Sequence, residues 1–158
     1  MRPHTSSGRE AMALVGALLL LGVSTGGVLA RAPEIMTIDI DLEEGGLGER
    51  FTTDHPLLCP SGDAFTDFQR GAGNFVTAGT FHLTKLLVCD DGSGSFVIRV
   101  DAASNFVVGD GTSGGWSVVP GSGTGDYVGI KGGGSVVGIN SGTQPIDLTD
   151  HYYGSLRL

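Results

Sequence analysis

His82 in T-F-H-L-T-K, Arg99 and Asp101 in F-V-I-R-V-D, and His151 in D-H-Y-Y stand on strand-like stretches and carry side chains able to move or hold a proton. Arg99 and Asp101 are two residues apart, so on a strand they share one face. If that face lined a lumen, the pair would orient or protonate a substrate. If it faced water, it would be an exposed ion pair worth little. Phe96, Ile98 and Val100 take the alternate positions and claim the inward face, so Arg99 and Asp101 are expected outside. His82 and His151 are by default surface or hydrogen-bonded histidines. They become an acid or base only if a pocket brings them together. Tyr127, Tyr152 and Trp116 each join an apolar body to a polar tip, which makes them the candidate ligand contacts.

Other chemistries fail on spacing. Gly121, Gly123 and Asp126 lack the third glycine of a dinucleotide fingerprint, and Lys131 follows Ile130 rather than the glycine of a phosphate-binding loop. The G-x-S-x-G elbow of α/β-hydrolases is absent. Cys59 and Cys89 form no C-x-x-C, and His55 and His82 do not stand at metal-ligand distance from them in sequence. The acids Asp39, Asp41, Glu43, Glu44 and Glu49 lack the regular spacing of oxygen ligands around a calcium loop. No metal and no cofactor is expected. The two cysteines are expected to pair with each other, since no activating constellation surrounds either one.

The elements that position these residues are strands. Residues 35–42 alternate, with Met36, Ile38, Ile40 and Leu42 on an apolar side and Asp39 and Asp41 on a wet one. Residues 51–79 are the least regular part, where Phe65, Phe68 and Phe75 are expected to tuck a connection against the rest. Thr80 to Cys89 and Ser95 to Ala102 flank Asp90-Asp91-Gly92-Ser93-Gly94, a hairpin by composition. Short strands are expected over 105–108, 116–119 and 135–139, and a final one over 146–158 with Leu148, His151 or Tyr152, and Leu156 inward. About eight strands separated by glycine turns, with no helix longer than a turn, fit a β-sandwich or a closed barrel.

Between the Trp116 strand and residue 135 lies P-G-S-G-T-G-D-Y-V-G-I-K-G-G-G, in which Tyr127 and Ile130 stand i, i+3 like one helical turn plugged into a core. Its Gly123 to Gly134 resembles the G-T-G-x-[YF]-x-G-[LI]-x-G-x-G signature of the allene oxide cyclase-like and dirigent-like β-barrels, shared by small secreted bacterial proteins. Phe81 to Lys85, Cys89 to Phe96 and Asp150 to Leu158 resemble segments of those relatives too, so the likeness spans roughly residues 59–158. The resemblance implies a small closed antiparallel barrel of about eight strands rather than the sandwich. It further implies a hydrophobic cavity with few polar groups, so that even an active member would show little catalytic signature.

At the other terminus, Arg2 and Arg9 precede the apolar run Ala11 to Val23, and Val28-Leu29-Ala30 supplies small residues at a cleavage junction. Residues 1–30 read as a signal peptide cut after Ala30. The apolar core is shorter than the roughly 20 residues needed to span a bilayer, so no membrane anchor is expected after processing. The rest divides into an N-terminal strand and acidic arm, 31–56, and a barrel domain, 57–158. A net charge of −8 opposes nucleic-acid binding, which relies on Lys and Arg. The expectation is a secreted barrel that binds a small apolar ligand or a partner protein. The alternatives are a cyclase- or dirigent-like enzyme acting on a reactive small molecule, and a structural protein whose barrel is filled. With 28 glycines and 7% aromatic residues, any cavity should be modest.

Overall fold

The computed structural model describes residues 34–42, 49–74, 78–104, 111–140 and 148–158. Eight antiparallel strands follow one another around a closed barrel: β1 Glu34–Leu42, β2 Glu49–Thr53, β3 Ser61–Asn74, β4 Ala78–Cys89, β5 Ser95–Ser104, β6 Thr112–Val118, β7 Lys131–Asn140 and β8 Leu148–Arg157. β8 returns to pair with β1, with Tyr152 opposite Ile38, so the ring has no edge strand. The barrel reading therefore holds over the sandwich. Apart from a one-turn 3-10 helix, Gly125–Tyr127, the described residues hold no helix, and none is long and apolar enough to cross a membrane.

Alternation places the core. On β5, Phe96, Ile98, Val100, Ala102 and Ser104 are buried while Arg99, Asp101 and Ala103 are exposed. On β4 the same period buries Phe81, Leu83, Lys85, Leu87 and Cys89. Ile38, Phe51, Leu87, Phe96, Ile98, Val100, Val136, Tyr152 and Leu156 are the side chains almost wholly withdrawn from water. Eight strands leave an interior just wide enough for such side chains, or for one small ligand among them.

Three expectations are corrected. Residues 31–56 are not an arm set apart from the barrel: β1 and β2 are two of its staves, and β1 is the strand that closes the ring onto β8. The segment expected to be irregular holds β3, at 14 residues the longest strand. Its register shifts between Phe68 and Arg70, and Phe65 and Phe68 are about half exposed rather than tucked in. Finally, Gly132, Gly133 and Gly134 lie inside β7, and Thr112 to Gly115 lie inside β6, rather than in the turns before them. The strand expected over 105–108 and the start of the one expected at 146 fall outside the described residues.

The up-and-down order gives the barrel two unlike ends. The connections 54–60, 90–94 and 119–130 gather at one end, where Cys59 and Cys89 form a disulfide (Cα–Cα 5.9 Å). There the plug expected from the glycine-rich stretch is in place, with Tyr127 and Ile130 each 3% exposed. Tyr127 packs on Phe96 with ring centroids 5.4 Å apart. Its hydroxyl accepts from the Cys59 N–H at 2.9 Å and lies 3.1 Å from Ser93 Oγ. Gly125, at φ +57°, brings the backbone so close to the β4–β5 hairpin that a Cβ would stand 2.1 Å from the Ser93 carbonyl oxygen. Only glycine fits there.

A candidate ligand cavity at the opposite end

The other end of the barrel is where β2, β4, β6 and β8 begin and where β1, β3, β5 and β7 finish. Inside it lies a cavity of about 270 Å³. Phe81, Leu83 and Leu148 form apolar wall, and Phe68 and Thr66, both exposed, stand at its rim. Such a volume is just below the range of pockets for drug-sized molecules, so it suits something smaller.

Its polar side chains come from strand positions whose period points them inward. Lys85 shares the face of Leu83 and Leu87, and its side chain is 4% exposed. It forms an ion pair with Glu49, which faces inward beside Phe51 on β2. Lys85 Nζ also donates to Thr66 Oγ1 at 2.8 Å, and that hydroxyl donates to Glu49 Oε1 at 2.7 Å. The triangle of Lys85, Glu49 and Thr66 thus satisfies most of its own hydrogen-bonding capacity, which a buried ion pair requires.

Asp150 is less well served. It stands between Leu148 and Tyr152 on the inward face of β8 and is 8% exposed. Its Oδ1 and the buried Thr112 Oγ1 on β6 meet no partner at good hydrogen-bond geometry. Its Oδ2 receives only a long contact, 3.5 Å, from the Tyr152 hydroxyl. Burial raises the Asp150 pKa, Lys85 pulls it back down, Glu49 adds a further push upward, and the neighbouring Thr112 and Tyr152 hydroxyls lower it again. Tyr152 is raised well above its ordinary value, by burial first and by the negative charge of Asp150 second. Gly138 on β7 makes the room: a Cβ there would lie 2.2 Å from Asp150 Oδ1 and 3.0 Å from Thr112 Oγ1. The Asp150 carboxylate and the Thr112 hydroxyl therefore pack together against the Gly138 backbone, in space that a side chain there would take.

Of the side chains singled out in the sequence, Tyr152 lines this cavity. Trp116 is buried behind it, edge-on to Tyr152 at 6.2 Å, with its Nε1–H donating to the Tyr153 carbonyl at 3.1 Å. Tyr127 is at the far end in the plug. His82 and Asp101 pair with each other on the outer face, both partly exposed, and Arg99 stands 3.9 Å from Asp101 in the same strip. His151 also points outward and stacks on Tyr153 at 6.3 Å. The structure does not bring the four proton-transfer candidates into the cavity. Among the described residues, the cysteines and Asp91 are the one group at metal-ligand distances, and the two sulfurs there are bonded to each other.

Sequence reasoning passed over Glu49, Thr66, Lys85, Thr112 and Asp150. The available signal was a polar residue in an inward register position: Lys85 between Leu83 and Leu87, Asp150 between Leu148 and Tyr152.

No curated protein and no solved structure matches this chain. A family model described as "Protein of unknown function (DUF3224)" matches residues 62–149, which runs from the start of β3 into β8 and takes in Lys85, Thr112 and Gly138. That match covers more than half of the sequence, and the chain belongs to the DUF3224 family.

Proposed function

We propose that this protein is an exported barrel that binds one small, largely apolar molecule in the cavity at the β2/β4/β6/β8 starting end. One observation carries the reading: apolar walls around about 270 Å³ meet a buried carboxyl group, Asp150, whose contacts with the Thr112 and Tyr152 hydroxyls are loose. Native proteins leave few buried polar atoms unpaired, and those they do leave often await a ligand or a water. The resemblance to allene oxide cyclase-like and dirigent-like barrels supports the same architecture of use, a hydrophobic lumen with a few polar groups at its base. Export is supported by the sequence of residues 1–30.

Native mass spectrometry of protein purified from culture medium tests both halves. The expected result is a mature chain beginning at Arg31 that carries a bound small molecule, released on denaturation. Failure to bind any member of a panel of small alcohols, amines and acids at millimolar concentration would overturn the reading.

A second reading, an enzyme acting on a reactive molecule in the same cavity, draws on Asp150 and Tyr152. A carboxyl whose pKa is raised by burial is suited to proton transfer. Conversion of a bound molecule by the wild type, lost in Asp150→Asn, would establish it.

A further inference from the structure

The ring has no edge strand, yet β3 outruns one of its neighbours. β2 pairs with Ser61–Ala64 and stops, while β3 continues to Asn74. Along Phe65–Asn74 the strand pairs with β4 alone among the described residues. Residues 65–73 are all exposed, Phe65 and Phe68 by about half. A length of strand whose N–H and C=O groups are open on one side is a template for a further strand.

The residues of that length favour one kind of strand. In F-T-D-F-Q-R-G-A, residues 65–72, the register against β4 shifts between Phe68 and Arg70, so Gln69 is an extra residue. Such a bulge commonly guards an exposed edge, because a regular strand laid along it falls out of step. A second copy of β3 carries the same extra residue. Turned antiparallel about a two-fold axis between Phe68 and Gln69, it sets Asp67 against Arg70, Thr66 against Gly71 and Phe65 against Ala72. Without the bulge these odd separations would put the members of each pair on opposite faces. With it the faces agree. Asp67 and Arg70 stand opposite Thr84 and His82 on the outer face, and Phe65 and Ala72 stand opposite Leu86 and Thr80, also outward. Thr66 and Gly71 stand opposite the inward Lys85 and Phe81.

Charge points the same way. A net charge of −8 holds copies of the chain apart over most of their surface. Residues 65–72 carry one Asp and one Arg, and neither forms an ion pair among the described residues. The two-fold axis joins them twice, as opposite charges directly across a strand pair.

We propose that β3 is a dimerisation edge: two copies join antiparallel over residues 65–72, with Asp67 of each against Arg70 of the other. This holds whether or not the cavity takes a ligand.

Sedimentation velocity of the mature protein over a concentration series tests it. The wild type should sediment as a dimer. Asp67→Arg and Arg70→Asp should each weaken the dimer by at least about tenfold, because like charges then meet across the axis. Mixed, the two variants should pair with each other, since one presents two cations and the other two anions. Both positions are exposed, and circular dichroism checks that each variant keeps the fold. A wild type that stays monomeric into the high micromolar range would overturn the inference. So would a dimer indifferent to both reversals, which must lie on another face. Failure of the mixture to pair, where each reversal alone broke the dimer, would show that Asp67 and Arg70 do not meet.

Discussion

The two ends of this barrel are built from the same eight strands and opposite chemistry. At the plugged end, Tyr127, Ile130, Phe96 and the Cys59–Cys89 disulfide fill the lumen, and the Tyr127 hydroxyl is shared among Cys59, Cys89 and Ser93. At the cavity end, Lys85, Glu49, Asp150, Ser104, Thr112 and Asn140 bring polar groups inside the ring, and space remains between them. One end is packed as a small protein core should be. Each end holds a buried polar atom without a well-placed partner, His55 Nε2 at the plugged end and Asp150 Oδ1 at the other. At the cavity end, however, the exception comes with buried charge and open space, the kind of local exception that marks a functional site. The comparison teaches where to look for stability and where to look for binding.

The largest effect should come from the plug. Tyr127→Ala removes a ring packed on Phe96 and leaves the Cys59 N–H without its acceptor, so it should cost about 3–5 kcal/mol. Urea denaturation with the disulfide intact reads this directly. A wild-type midpoint would mean that Tyr127 is no plug and that the two ends are not so different. Next comes the disulfide, which closes a loop with a sequence separation of 30. Replacing both cysteines by serine should cost about 3–4 kcal/mol on the chain-entropy account. Gly125→Val comes third, at about 1–3 kcal/mol, since its Cβ meets the Ser93 carbonyl and its φ is positive. All three should weaken folding far more than they change ligand binding at the other end.

The acids at the two ends should titrate with opposite signs. Asp90, in the hairpin at the plugged end, is held below its ordinary value by hydrogen bonds from Arg50 and Ser61. Its contribution to stability is present above the ordinary carboxylate range and is lost as pH falls through the lowered value. Asp150 runs the other way. The folded state holds its proton more tightly than the unfolded state does, so stability falls as pH rises from the ordinary carboxylate value through the raised one. Asp150→Asn should therefore raise the melting temperature at pH 7, and the gain should shrink as pH approaches the unfolded value of about 3.8. A variant less stable than wild type at pH 7 would show that the carboxylate is satisfied in solution and that the cavity end is not strained.

How much of this was legible in the sequence follows from the same contrast. The plugged end was readable because its signals are local: glycines around Tyr127 and Ile130, two cysteines, a hairpin turn at residues 90–94. The cavity end was not, because its side chains are far apart in sequence and each looks ordinary by residue type. Lys85 reads as a surface lysine until β4 is given the same period that β5 shows in Phe96, Ile98 and Val100. Asp150 reads as one more acid in an acidic chain until Tyr152 is fixed inward by its pairing with Ile38 across β1 and β8. β3 was hidden for another reason. Its G-D-A-F-T-D-F-Q-R-G-A-G has few β-branched residues, and pairing with β2 and β4 overrides that weak preference. β1 looked detachable because closure of a barrel by the first and last strands is a long-range fact.

The smallest expected effect lies on the outer face, where residue type alone pointed to chemistry. Arg99 is more than half exposed and stands 3.9 Å from Asp101, whose other partner is the partly exposed His82. Water screens charges in such a strip, and the entropy of fixing long side chains offsets much of what attraction remains. Arg99→Ala should therefore change stability by no more than about 0.5 kcal/mol. It should also leave ligand binding in the cavity as it is, because β5 turns Arg99 away from the lumen that Ile98 and Val100 face. Urea denaturation and calorimetric titration with the panel of small alcohols, amines and acids check both statements. A marked loss of ligand binding in Arg99→Ala, with folding intact, would place the binding surface on the outside of the barrel. The contrast between the two ends would then concern stability alone.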